Sequence, residues 1–158
     1  MKSVALLAGL GLAISASTMN AEERAAPAAQ GYVPGLGEIM SLQQMRHAKL
    51  WLAASRRNWA LAAYELDELR EGFEDASRQH PTLDGVPVAA MIKSLTPGPL
   101  DAIGKAVEAK SPADFAKAFD SLSDACNACH RGAKHGFIRI KRPGASAFGN
   151  QDFSPGRE

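Results

Sequence analysis

The stretch DACNACHRGAKHG, residues 124–136, holds the side chains with the most reactive chemistry in the chain. Cys126 and Cys129 are its only cysteines, and His130 directly follows the second. Thiols and an imidazole at this spacing could form a redox-active dithiol, a structural disulfide, part of a zinc site or an attachment point for haem. The elements that position the motif must decide among these chemistries.

The composition of this 158-residue chain favours a single all-α domain. Apolar residues make up 46%, which is enough for a hydrophobic core, whereas aromatic residues reach only 6%. The net charge is +1 with acids and bases interspersed, so nucleic acid is not an expected partner. No nucleophile with a nearby base and no pair of carboxylates stands out, so we predict no enzyme activity and no catalytic residue.

Four blocks of helical periodicity follow one another between residues 36 and 135. Asn58 is the predicted cap of the second block, and Ser111, followed by Pro112, opens the fourth. The third block runs from Pro87 to about Ala109 and must kink or break at Pro97, because proline lacks a backbone donor. Short connections make consecutive helices antiparallel neighbours, so we predict an up-down-up-down four-helix bundle.

The motif lies on the inward stripe of the fourth helix, since positions i, i+3 and i+4 share one face. A thioredoxin-like dithiol would need a strand before the helix, a disulfide here would close a very small loop, and zinc would need a fourth ligand. A c-type haem uses two thiols for thioether bonds and the adjacent imidazole for iron. We therefore expect one haem c on Cys126, Cys129 and His130, with a disulfide or metal site as the alternative.

The first residues are typical of an export signal. Lys2 precedes the apolar run VALLAGLGLAI, and small residues follow it. We predict a signal peptide over residues 1–20, a flexible lead-in over 21–35 and a periplasmic location in a Gram-negative-type bacterium. The apolar run falls short of the roughly 20 residues of a membrane anchor, so no span is expected after cleavage.

A CxxCH motif on the last helix of a four-helix bundle resembles the cytochrome c-prime family, also called class II cytochromes c. The likeness covers roughly residues 36–135. In that family an Arg-Gln pair on the first helix touches the haem, and the residue three positions after the Gln faces the open side of the iron. The stretch MRHAKLW is similar, and the resemblance assigns Arg46 to a haem propionate, places His47 at the Gln and puts Leu50 at the distal position.

His47 departs from the family pattern and is a candidate distal ligand of the iron. The alternative is a histidine hydrogen-bonded at the haem edge. Met40, one heptad earlier, is a rival thioether ligand or else an ordinary core methionine. We expect the first helix to overhang, so that the haem faces His47 and Leu50.

Residues 136–158 extend beyond the usual end of that family. Their glycines and prolines exclude a continued helix, but Phe137, Ile138, Ile140, Phe148 and Phe153 are too apolar for a fully solvated tail. We predict an extended strap over the end of the bundle near the haem, with a frayed terminus as the alternative.

Three functions agree with these features. The first is a periplasmic carrier of single electrons with a redox partner protein, which we favour because His47 and Met40 both offer a sixth ligand. The second is a five-coordinate gas-binding protein with Leu50 at a vacant site. The third is a haem-bearing subunit of a larger redox complex, and a second copy of the chain is a further candidate partner.

Overall fold

The computed structural model describes residues 31–156, so the expected signal peptide and residues 21–30 of the lead-in lie outside the described residues. This part of the chain forms five helices: α1 (Leu36–Ser55), α2 (Trp59–Gln79), α3 (Val88–Leu95), α4 (Pro97–Glu108) and α5 (Pro112–Gly132). It contains no strand, only an isolated bridge between Leu83 and Val86. The predicted all-α class is confirmed. None of the helices within residues 31–156 has the length and apolar character of a membrane span.

Side-chain caps fix the starts of two helices where the sequence predicts them. The Asn58 side chain accepts a hydrogen bond from the Leu61 N–H at 3.1 Å at the start of α2. The Ser111 hydroxyl accepts one from the Asp114 N–H at 3.4 Å, and Pro112 takes the first position of α5. Each cap satisfies a backbone donor that a helix leaves without an internal partner.

The third periodic block is two helices rather than one. Thr96 ends α3 by donating its N–H to the Ile92 carbonyl at 3.0 Å, and its own carbonyl accepts the Leu100 N–H at 3.0 Å. Pro97 then begins α4, a position where its missing N–H costs nothing. The break predicted at Pro97 is confirmed.

The helices share one hydrophobic core. α1 packs against α2, α4 packs against α5, and α2 also contacts α3 and α4. α5 in addition contacts α1 and α3. The largest side chains that are less than 2% exposed come from four of the five helices: Leu50, Leu69, Ile103, Phe119 and Leu122.

One set of contacts gathers four segments at the end of the structure that holds the CxxCH motif. The His80 Nε2–H donates to the Pro34 carbonyl at 2.8 Å, which joins the end of α2 to the residues before α1. The Ala89 N–H donates to the Pro81 carbonyl at 3.1 Å and so brings the start of α3 to the same place. A Cβ placed on Gly132 would lie 2.6 Å from the Met91 methyl carbon, so the end of α5 is there too. We call this the motif end.

Residues 137–156 run back along α5 without helix or strand. The Asn127 side chain donates to the Ile140 carbonyl at 2.8 Å and accepts the Ile140 N–H at 2.7 Å. Further along, the Arg142 guanidinium bonds both carboxylate oxygens of Asp120, at 2.6 and 2.5 Å, and lies 4.5 Å from the centre of the Trp51 ring. The segment therefore follows α5 backwards, away from the motif end.

The same segment ends in the core, where α1 meets α2. Phe153 is only 2% exposed and lies 6.1 Å from the ring of Phe148. Asn58, the cap of α2, donates to the Ser154 carbonyl at 2.9 Å. The last described residues thus bury an aromatic ring against the helices instead of fraying into solvent.

Replacing Phe153 by Ala should lower the free energy of unfolding by about 3–5 kcal/mol, as buried Phe-to-Ala changes do. Phe137→Ala is the matched control, since Phe137 belongs to the same segment but is 79% exposed. It should change stability by less than about 0.5 kcal/mol. Urea unfolding followed by circular dichroism measures both. Equal losses in the two variants would contradict the burial of Phe153.

Candidate functional site

The CxxCH motif occupies the last two turns of α5. Cys126, Cys129 and His130 are half-buried, and both thiols are free. The two thiols lie three residues apart on one helical face, and His130 adjoins them at position i+4 from Cys126. The helix thus presents three reactive groups together at the motif end.

Burial keeps both thiols in their neutral form. It raises the pKa of Cys126 to about 12, with the neighbouring Cys129 adding to the shift. The pKa of Cys129 is also raised by burial. Thiols in such surroundings carry little thiolate at neutral pH, so they are poor nucleophiles for rapid disulfide exchange. This argues against a thioredoxin-like dithiol.

A backbone carbonyl orients the His130 imidazole. Because a carbonyl can only accept, the His130 Nδ1–H donates to the Ile138 carbonyl at 3.1 Å. This hydrogen bond fixes the tautomer and leaves Nε2 as the ring nitrogen with a free lone pair. Histidines that bind metals commonly donate their other N–H in this way.

Sequence reasoning identified His130 but not its partner. Ile138 lies eight residues further on, beyond the end of α5, and offers a main-chain atom that no residue type reveals. The turn is set by the His135 N–H, which donates to the His130 carbonyl at 2.7 Å, and by the Ile138 N–H, which donates to the His135 carbonyl at 2.9 Å. The chain reversal after α5 therefore delivers the carbonyl to the imidazole.

The motif is not a ready metal cage. Within residues 31–156, no three side chains of histidine, cysteine, aspartate or glutamate converge on a point where an ion would bind. Covalent haem attachment does not need such convergence, because the thiols bond to carbon and only the imidazole bonds to iron.

His47 is buried between α1 and α5. It is 4% exposed, its Nε2 lies 2.9 Å from the Ser123 hydroxyl oxygen, and its ring centre lies 4.2 Å from that of Phe119. Burial lowers its pKa from 6.5 to about 4, so it is neutral at physiological pH. Ser123 also donates to the Phe119 carbonyl at 3.0 Å, which leaves its oxygen free to accept from His47.

The hydrogen bond between His47 and Ser123 shows which residues of α1 lie beside the CxxCH motif of α5. The start of α1 and the end of α5 both lie at the motif end, so residues before His47 face residues after Ser123. Met40 lies seven residues before His47, and His130 lies seven residues after Ser123. At about 1.5 Å per residue, both steps cover about 10 Å. Met40, rather than His47, is therefore at the level of His130.

The other residues selected on the first helix contact the core or the neighbouring helix α2. Leu50 has no solvent exposure and belongs to the core, whereas Met40 is half-buried and packs against it. Arg46 forms an ion pair with Glu68 of α2. Its guanidinium is thus held by a carboxylate of the chain itself.

A buried amide on α1 retains an oxygen without a partner. Gln43 donates its Nε2–H to the Leu69 carbonyl at 2.7 Å, but its Oε1 has no hydrogen bond. A Cβ on Gly72 would lie 2.5 Å from that oxygen, so Gly72 makes the room for the Gln43 side chain. The sequence alone does not indicate this contact.

Comparisons with protein-family models, with curated proteins and with solved structures find no match to this chain.

The buried His47 should make stability depend on pH. Between about pH 6.5 and 4 the unfolded chain binds a proton at this residue and the folded chain does not, so stability falls as the pH drops. The loss should approach about 3 kcal/mol over this window. His47→Gln should remove that part of the slope in urea midpoints measured from pH 7 to 4.

His135→Gln is the control for this experiment, because His135 is exposed. It should keep the slope of the unmodified protein. Identical slopes in all three proteins would show that His47 does not titrate as its burial requires.

Proposed function

We propose that this chain is a periplasmic c-type cytochrome of the cytochrome c-prime kind that carries single electrons for a redox partner protein. Cys126 and Cys129 would hold one haem by thioether bonds, and His130 would bind its iron. When bound, the haem supplies a centre that gains and loses one electron. The hydrogen bond from His130 Nδ1 to the Ile138 carbonyl carries this proposal, because it leaves Nε2 available.

The residues at the motif fit a covalent haem. Two free thiols share a helical face, as attachment to the two vinyl groups of one porphyrin requires. Each thiol would be joined to the haem by adding across one vinyl double bond, with its sulfur on one carbon and its hydrogen on the other.

The contacts between helix ends support the up-down-up-down bundle within this proposal. The residues before α1 adjoin the end of α2, and the end of α5 adjoins α3 near its start. At the opposite end, the ring of Trp59 in α2 lies 6.3 Å from that of Phe115 in α5. With α3 and α4 as one interrupted third helix, the first two contacts join antiparallel neighbours. The third joins the starts of the second and fourth helices, which run in the same direction in such a bundle.

Met40 is the sixth ligand that the register favours. It lies at the level of His130 on the helix that faces α5, and a thioether is an established iron ligand in cytochromes. His47 lies about 10 Å deeper, and the Ser123 hydroxyl already engages its Nε2. We therefore assign His47 to the packing between α1 and α5 and Met40 to the iron.

A sixth ligand favours electron transfer over gas binding. Met40 on the iron would close the position that a gas molecule needs. Leu50, the distal residue of the gas-binding alternative, lies three residues beyond His47 and so deeper still from the motif end. Both placements support the carrier.

Covalent attachment is tested by mass. The mature protein should weigh one haem more than its polypeptide, and acidified acetone should leave the colour with the protein. Cys126→Ser and Cys129→Ser should each leave one thioether, and the double variant should release its haem in acetone. A protein that purifies without haem, or with zinc instead, would overturn the proposal.

The sixth ligand is tested by spectra of the haem-loaded protein. The oxidised protein should be low-spin, with the weak sulfur-to-iron band near the red edge of the visible range. Met40→Ala should remove that band, turn the iron high-spin and admit carbon monoxide, because no thioether then closes the site. His47→Ala should keep the band.

Two outcomes would redirect the assignment. If His47→Ala converts the spectrum while Met40→Ala does not, His47 is the ligand. If the unmodified protein is already high-spin and binds carbon monoxide, the gas-binding alternative with Leu50 replaces the carrier.

A further inference from the structure

The charge of the chain is unevenly placed around the motif. Residues 125–151 contain five of the 18 lysines and arginines and none of the 17 acids. The remaining 13 bases therefore stand against all 17 acids in the rest of the chain. The net charge of +1 is thus the sum of a basic segment, residues 125–151, and an acidic remainder of the chain.

Four of these cations are exposed in the segment that leaves the motif end. Arg131, Lys134, Arg139 and Lys141 all point into solvent. In the part of the chain that the structure describes, none of the four forms an ion pair. They outnumber the one carboxylate beside them, that of Asp124, so the positive charge of this surface is in excess.

A large aromatic side chain lies among these cations. Phe137 is 79% exposed, and Ile138 beside it is 40% exposed. The one aromatic contact of Phe137 among the described residues is the ring of His135, with centres 5.5 Å apart. An apolar centre with a charged rim is the pattern of a protein-binding surface.

The surface is held rigidly on the helix that carries the motif. Ile138 bonds His130 through its carbonyl, and Ile140 bonds the Asn127 side chain through both its N–H and its carbonyl. Phe137, Arg139 and Lys141 alternate with these anchored residues. Because the backbone between them is fixed, the exposed side chains lose little backbone entropy when a partner binds.

A cavity of about 370 Å³ opens within this surface. Two guanidinium groups, of Arg131 and Arg139, line it together with Asn127, Ile138, Gly136 and one carboxylate, Asp124. The side-chain amide of Asn127 is already hydrogen-bonded to the Ile140 backbone. A carboxylate side chain that enters the cavity would contact the guanidinium groups of Arg131 and Arg139, whose combined charge exceeds that of Asp124.

We propose that Arg131, Lys134, Arg139 and Lys141 around Phe137 form the docking surface for a protein partner whose own face is acidic with an apolar centre. The identity of this partner as a redox protein rests on the proposed function. The surface adjoins the proposed haem site, because His130 is hydrogen-bonded to Ile138, the residue after Phe137. The acidic remainder of the chain repels an acidic partner, whereas the basic surface attracts it. These charges orient the encounter so that the motif end faces the partner. A single exposed Phe beside Ile138 suits a protein better than a lipid bilayer or a nucleic acid.

The test uses two fluorescent synthetic peptides of equal length with the same number of glutamates. One carries a Trp-Leu pair at its centre and the other a Ser-Ser pair. At low ionic strength the full protein should bind the Trp-Leu peptide about tenfold more tightly, measured by fluorescence anisotropy. Phe137→Ser should abolish this preference, since the apolar centre is then lost.

Charge variants test the rim. The double variant Arg139→Glu with Lys141→Glu should weaken binding of both peptides by about tenfold or more. The control is Lys105→Glu with Lys117→Glu, which changes the net charge equally at exposed positions on α4 and α5. It should change affinity by less than about twofold, because these residues lie outside the surface.

Several outcomes would overturn the proposal. These are failure to bind either peptide, equal affinity for both, equal weakening by the control, or tighter capture of phosphatidylglycerol vesicles or duplex DNA than of the Trp-Leu peptide. The haem content of the same samples separates the two proposals. If the protein binds the peptide but carries no covalent haem, the docking surface is supported and the cytochrome proposal is wrong. If it carries haem but does not bind the peptide, the cytochrome proposal stands and the docking surface is wrong.

Discussion

The arrangement of the motif end depends on one buried hydrogen bond, between the His47 imidazole and the Ser123 hydroxyl. It joins α1 to α5 in a region where the other contacts are aromatic and less directional, namely those of His47 and Trp51 with Phe119. This buried pair is satisfied in only one register, because a slip would leave the His47 imidazole without its partner. Packing against Phe119 adds attraction between α1 and α5, and the polar pair sets the offset of the two helices along their axes.

By the rise of a helix, that register puts His47 about 10 Å along the axis from the level of His130. Burial keeps the His47 imidazole neutral, and the neutral form is also the one that binds iron, so protonation alone does not separate the two roles. The imidazole lies between the Ser123 hydroxyl and the Phe119 ring. The level of a residue along the helix, rather than its chemistry alone, distinguishes His47 from Met40.

The sequence predicted the features that arise from neighbouring residues. Asn58 and Ser111 mark helix starts, Pro97 breaks the third block, and the spacing of Cys126, Cys129 and His130 defines their common face. It did not predict contacts between distant residues, such as those of Ser123 with His47 or Gly72 with Gln43. Patterns along one helix fix which face is buried, but the axial offset between helices depends on packing that no single segment encodes. The overhang expected from MRHAKLW concerns such an offset, which the pattern of one helix does not set.

The hydrogen bond between Asn58 and Ser154 closes a loop that contains α2 to α5 and the segment after them. These residues are separated by 96 positions, and Phe153 beside them fills a place in the core. Contacts this distant along the chain form late, because the entropy of closing the loop must be overcome first. During biosynthesis the helices would therefore be complete while the ring of Phe153 is still absent from the core. The junction of α1 and α2 would then be the last part of the protein to acquire its native packing.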